Sequence, residues 1–145
     1  MIKYLKLALG LALLGTGCTP VSQSIQVSSE NIISEEEAFT QVAYSVDATE
    51  ANKMIQSNPN LTILDVRTPQ EIPVDGKIAN SVMIPLQVLK QNLYRFDKSN
   101  PILVYCHTGN RSLVAMQILS DNGFNVINMA GGISSWSARG LPIIR

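Results

Sequence analysis

Residues 101–123 read PILVYCHTGNRSLVAMQILSDNG. PILVYC is an apolar run with the length and β-branched content of a strong strand. CHTGNR is a short polar loop. RSLVAMQILSDNG then sets Val114/Ile118 and Ala115/Leu119 four apart, the spacing of one helix face. Gly123 stands where a left-handed residue closes a helix. The stretch is therefore strand, loop, helix.

The same alternation runs outward in both directions. QVAYSV is a short strand. DATEANKMIQSN is a helix with Asp47 and Glu50 at capping-box spacing and Pro59 beyond its end. LTILDV is a continuous apolar strand of the kind buried on both faces of a parallel sheet. SVMIP is another strand, and LQVLKQNLYRF a helix with Leu86, Leu89 and Leu93 on one face. After residue 123, NVINM is a strand and GGISSWSARGLP a short helix between Gly132 and Gly140, stopped by Pro142. Strands alternating with helices predict an α/β fold, a parallel sheet with helices on both faces.

Composition agrees with a folded domain. The 145 residues are 46% hydrophobic and 15% charged, with a formal net charge of zero. Length predicts one domain. No basic stripe marks a nucleic-acid partner, and no fixed-period repeat is present.

The first 40 residues read differently. MIKYLK is basic, LALGLALLGTG (7–17) is uncharged and apolar, and Cys18 follows. This is the layout of a secretory signal. Eleven residues at about 1.5 Å each do not cross a hydrocarbon core of about 30 Å. GTGC resembles a bacterial lipoprotein cleavage box, which implies lipid on Cys18 and a membrane anchor. Gly15 stands where such boxes usually carry Leu, with Leu14 one place further back, so plain secretion stays open. Cleavage would remove Lys3 and Lys6 from the 11 basic residues and leave the 11 acidic ones. The expected organisation is a signal peptide (1–17), a Ser- and Gln-rich tether (18–40) and a domain (41–145) working outside the cytoplasm, facing the periplasm or cell exterior. Within the tether, Ser34 and Glu37 have capping-box spacing for a short helix.

A lipidated Cys18 leaves Cys106 without a partner in its own chain, and exported proteins usually pair their cysteines. Such a lone thiol is either buried and inert or reactive. Cys106 falls at the carboxyl end of a central strand, where open α/β sheets bind ligands. Arg111 opens the next helix. The backbone N–H groups between them form an anion-binding nest that lowers a thiol's pKa. Gly109 suits a tight loop that needs positive φ.

LDVRTPQE, IANSVMIPL, ILVYCHTGNRS and MAGGISSWSARGLPI occur in the order and at the spacing of the single-domain rhodaneses, and residues 44–144 resemble that sulfurtransferase family. The resemblance implies a five-stranded parallel sheet and no cofactor. It implies that Cys106 takes a sulfane sulfur from thiosulfate or a similar small anion and passes it, as a persulfide, to a thiol or cyanide. His107, Thr108, Gly109, Asn110 and Ser112 would supply the N–H groups around that sulfur. Arg111 would close the loop by bonding its carbonyls and favour the thiolate.

Other readings of the loop compete. A Cys–His base pair is unexpected, since adjacent residues rarely face each other, so His107 is read as lining the pocket mouth. One histidine and one free cysteine do not make a metal site. Cysteine phosphatases carry five residues between Cys and Arg, and this loop carries four. A non-catalytic persulfide carrier or redox or sulfur sensor remains open. Asp65, Arg67 and Glu71 are expected to form one supporting ion-pair network at the same rim. Trp136 reads as core, and Lys77 as an exposed lysine in a GKI segment where the family often has GHI. The conformation of the preceding IPVDG is left undetermined.

Overall fold

The computed structural model describes residues 41–145. The expected signal segment, Cys18, the tether and its short helix lie outside the described residues. No described helix is long and apolar enough to cross a membrane.

Five parallel strands form one sheet in the order β1-β5-β4-β2-β3. They are β1 (Ala43–Val46), β2 (Thr62–Asp65), β3 (Val82–Met83), β4 (Ile102–Tyr105) and β5 (Val126–Met129). The helices are α1 (Ala48–Ser57), α2 (Ile72–Asp75), α3 (Leu86–Leu89), α4 (Asn110–Asp121) and α5 (Gly132–Ala138). The α/β architecture is the one predicted, with β4 in the centre.

Alternation along β4 builds two cores. Ile102 and Val104 face α3 and α4, packing with Leu64, Leu89, Ala115 and Leu119. Leu103 and Tyr105 face α1 and α5, packing with Ala48, Ala51, Ile133 and Trp136. With both faces covered, β4 needs no polar positions, and all four of its residues are buried. Each buried Leu or Ile contributes roughly 1.5–3 kcal/mol. Trp136 is core, as read from the sequence, and its indole N–H donates to the Pro142 carbonyl (2.9 Å).

Local signals also hold. Asp47 caps α1 by accepting from the Glu50 N–H (2.9 Å), and Gly123 is left-handed (φ +89°) just past α4. Two elements differ from expectation. The helix of residues 86–96 is one α-turn followed by a 3₁₀ stretch, Lys90–Arg95. Leu89 is buried and Leu86 and Leu93 pack against the core, so the tighter winding still delivers the apolar face. IPVDG forms α2, preceded by a 3₁₀ turn at Pro69–Glu71 and ended by Gly76.

Candidate active site

Cys106 follows β4 directly and is 1% exposed. The chain then turns through His107 and Thr108 into Gly109 (φ +107°), which is the cap of α4. This left-handed residue brings the Gly109 N–H back onto Cys106 Sγ at 3.1 Å. The first N–H groups of a helix have no partner within it, and here those of Arg111 and Ser112 favour the charged sulfur. Burial pushes the Cys106 thiol up. The N–H and hydroxyl of Ser112, with the N–H groups of Gly109 and Arg111, outweigh it, and the thiol titrates below its ordinary range. The Ser112 hydroxyl also donates to the Gly109 carbonyl (2.9 Å). Its single proton serves one acceptor at a time.

The loop carbonyls are held by α5, an element that the sequence reading did not connect to the loop. The Ile133 N–H donates to Cys106 O (2.8 Å) and the Ser134 N–H to His107 O (3.1 Å). This close approach requires Gly132 (φ +57°), where a Cβ would stand 2.3 Å from Cys106 O and 2.5 Å from His107 O. The paired glycines of MAGGISS were the available signal.

Arg111 therefore does not close the loop as expected. Its guanidinium binds both oxygens of Glu71, Nη1 to Oε2 at 2.7 Å and Nη2 to Oε1 at 2.6 Å. Thr68 fixes that carboxylate by donating its N–H and hydroxyl to Oε2, both at 3.0 Å. Arg111 holds the Glu71 carboxyl down at about 2 despite some burial. The positive charge remains close enough to the Cys106 sulfur for each to favour the other's charged form.

The expected single network of Asp65, Arg67 and Glu71 is thus two. Asp65 and Arg67 are a fully buried pair, with Nη2 2.7 Å from Oδ2 and Nε 3.0 Å from Oδ1. Nη2 also donates to the Gly76 carbonyl (2.8 Å). The remaining nitrogen, Nη1, has no hydrogen bond and faces Asp75 Oδ2 at 3.5 Å. Asp75 in turn accepts from His107 Nδ1 at 3.1 Å.

Asp75 and His107 divide two cavities. The larger, about 530 Å³, is the mouth over the cysteine loop, lined by Glu71, Val74, Thr108 and Arg111 as well. The smaller, about 250 Å³, lies against α5, between Ile133, Ser134, Ser137 and the tail residues Ile143 and Arg145. His107 lines both, which places it at the pocket mouth as read from the sequence. Lys77 is half-buried and outside both linings, its backbone paired with Ile144. Glu71, Asp75 and His107 present ligand-type atoms within 4.8 Å of one another. Arg111 already occupies both Glu71 oxygens, and Asp75 faces Arg67 and His107, so a cation there would have to displace two guanidiniums.

A buried cysteine whose thiol pKa is lowered by helix-start amides, at the carboxyl edge of a parallel sheet, defines a class of domain, one suited to chemistry on the cysteine sulfur. Four residues separate Cys106 from Arg111. The chain belongs to the rhodanese-like domain family, whose model matches residues 47–139. It is similar to a sulfurtransferase of Allochromatium vinosum, 29% identical over 68% of this chain and 92% of the relative. Thiosulfate sulfurtransferase 16, chloroplastic, of Arabidopsis thaliana is 31% identical over 71% of this chain and 94% of that protein. The crystal structure of a rhodanese-related protein from Thermoplasma volcanium is 36% identical, covering 70% of this chain and 97% of that one with a TM-score of 0.64. Family and relatives support sulfur transfer as the general activity.

Proposed function

We propose that the domain moves a sulfane sulfur from thiosulfate, or a similar small anion, to a thiophilic acceptor through a persulfide on Cys106. The observation that carries this reading is the buried Sγ that accepts from the Gly109 N–H at the start of α4, where nearby backbone groups lower its thiol pKa. The Cys106 thiolate attacks the outer sulfur of the donor. The donor's S–S bond breaks, its electron pair leaves with sulfite, and Cys106–S–S⁻ remains. This divides one transfer into two easier steps. Preorganised amides hold the anionic outer sulfur as an oxyanion hole holds oxygen, with Arg111 adding charge from the rim. A thiol or cyanide then removes the sulfur and regenerates the thiolate. Thiosulfate is chosen as donor on the likeness to the Arabidopsis protein. The test is steady-state formation of sulfite and thiocyanate from thiosulfate and cyanide. Unsubstituted protein should turn over and Cys106→Ser should not. Loading without turnover by any acceptor would instead support the carrier or sensor reading.

The N-terminal pattern supports a second part of the proposal. Cleavage before Cys18 and lipid on its sulfur would tether the domain to a membrane outside the cytoplasm, since more than one acyl chain anchors stably. Cys18→Ala should shift the protein to the soluble fraction or stall its processing. Equal solubility of the two forms would overturn the anchor.

A further inference from the structure

We propose that Asp75 and His107 form a proton-handling pair that serves thiol acceptors, with His107 the group that touches the acceptor and Asp75 its positioning residue. This inference rests on the sulfurtransferase reading.

The geometry fixes the tautomer. Asp75 Oδ2 meets His107 Nδ1 at 3.1 Å and faces Arg67 Nη1 at 3.5 Å. A carboxylate that faces a guanidinium accepts and does not donate. Nδ1 is therefore the N–H of the neutral ring, and Nε2 carries the lone pair. Among the described residues His107 makes no other side-chain hydrogen bond, and its side chain is 42% exposed. Arg67 is fully buried behind the pair, its other nitrogens committed to Asp65 and Gly76. The result is an oriented base with a free nitrogen, on a half-exposed side chain that lines the mouth.

The second half-reaction needs such a group. A thiol acceptor must lose its proton to attack, yet its target, the persulfide, is already an anion. The cation that lines this mouth is engaged, Arg111 with Glu71, and the buried Arg67 behind it is engaged with Asp65. His107 Nε2 takes the proton of the incoming R–SH and becomes a cation beside Asp75. R–S⁻ attacks the outer sulfur, the Cys106 S–S bond breaks, and its electron pair stays on Sγ as the thiolate. The proton returns from Nε2 to R–S–S⁻, and R–S–SH leaves. The outer sulfur stands about 2 Å beyond Sγ, so an acceptor reaches it from the cavity that His107 lines. Loading from thiosulfate and discharge to sulfite move no proton and do not use the pair.

The experiment separates these legs. It uses the full chain with Cys18→Ala, in which Cys106 is the remaining cysteine. Protein is loaded with thiosulfate, and single-turnover discharge is followed with glutathione or with sulfite. His107→Asn should slow discharge to glutathione at pH 7 by about 10²-fold, a usual general-base contribution, and slow loading and sulfite discharge far less than that. The loss should shrink as pH rises and glutathione ionises unaided. Asp75→Asn should lower the maximal rate to glutathione without raising the glutathione concentration that half-saturates it, because the ring loses the acceptor that holds its tautomer and orientation. The other charges facing His107 are Glu71, Arg111, Arg67 and Arg145, and neither substitution changes them. Equal loss with both acceptors, or no loss with glutathione, overturns the pair while loading persists. Absence of loading in the His107 protein's unsubstituted parent overturns the sulfurtransferase reading and the pair with it.

Discussion

Gly132→Ala tests whether α5 sets the shape of the cysteine loop. A Cβ at residue 132 would stand 2.3 Å from the Cys106 carbonyl and 2.5 Å from that of His107. Both are backbone atoms held by hydrogen bonds from Ile133 and Ser134, so neither has a flexible end that can swing away. A left-handed Ala costs about 1–2 kcal/mol, and forced overpacking typically about 1–3 more. Reduced freedom of the unfolded chain returns about 0.4–1, for a net loss of roughly 3 kcal/mol at the middle of these ranges. Gly140→Ala is the control. Its φ is +68°, but a Cβ there meets nothing within 4 Å, so only the backbone strain applies, about 1 kcal/mol after the same offset. Urea unfolding followed by Trp136, the one tryptophan and a buried one, reads both variants. Gly132→Ala should also slow thiosulfate loading, and Gly140→Ala should not. Equal destabilisation of the two would refute the claim that α5 backbone defines the loop.

Two further outcomes follow from the electrostatics. Glu71 has its carboxyl lowered to about 2 from 4.5 by Arg111, so the stability it contributes is present above about pH 4.5 and lost as pH falls toward 2. The melting-temperature gap between unsubstituted protein and Glu71→Gln should therefore be widest near neutrality and close across that window; a gap independent of pH contradicts the pairing. Ser112→Ala removes one of the groups that hold the Cys106 thiol down, so the half-point of iodoacetamide alkylation against pH should rise. An unchanged half-point would assign the lowered value to the backbone alone.

What the sequence revealed and what it hid divide by range. The strands, the cap at Asp47, the left-handed Gly109 and the position of Cys106 at the end of a central strand depend on neighbours a few residues apart, so periodicity and turn chemistry report them. Arg111 reads from the sequence as the residue that closes the loop, but its partner Glu71 lies 40 residues away, and the sequence has several carboxylates that could take it. Asp75, 32 residues from His107, was missed because IPVDG gave no periodic signal; only its folding as a single turn closed by Gly76 brings the carboxylate to the loop. The hold of α5 on the loop is made by backbone groups, and side-chain identity reveals those only where a glycine is required, as at Gly132. Residues 86–96 show the opposite limit: the apolar face is right and the winding differs, because leucines spaced three and four apart suit a 3₁₀ turn as well as an α-turn.

The central claim is that Cys106 carries the transferred sulfur, and the mass of that residue tests it most directly. After incubation with thiosulfate, intact and peptide mass spectra should show one added sulfur atom on Cys106, released again by cyanide or a thiol, with Cys106→Ser folded and unmodified. Absence of added sulfur on Cys106 with thiosulfate and with other sulfane donors, or equal loading of Cys106→Ser, would contradict it.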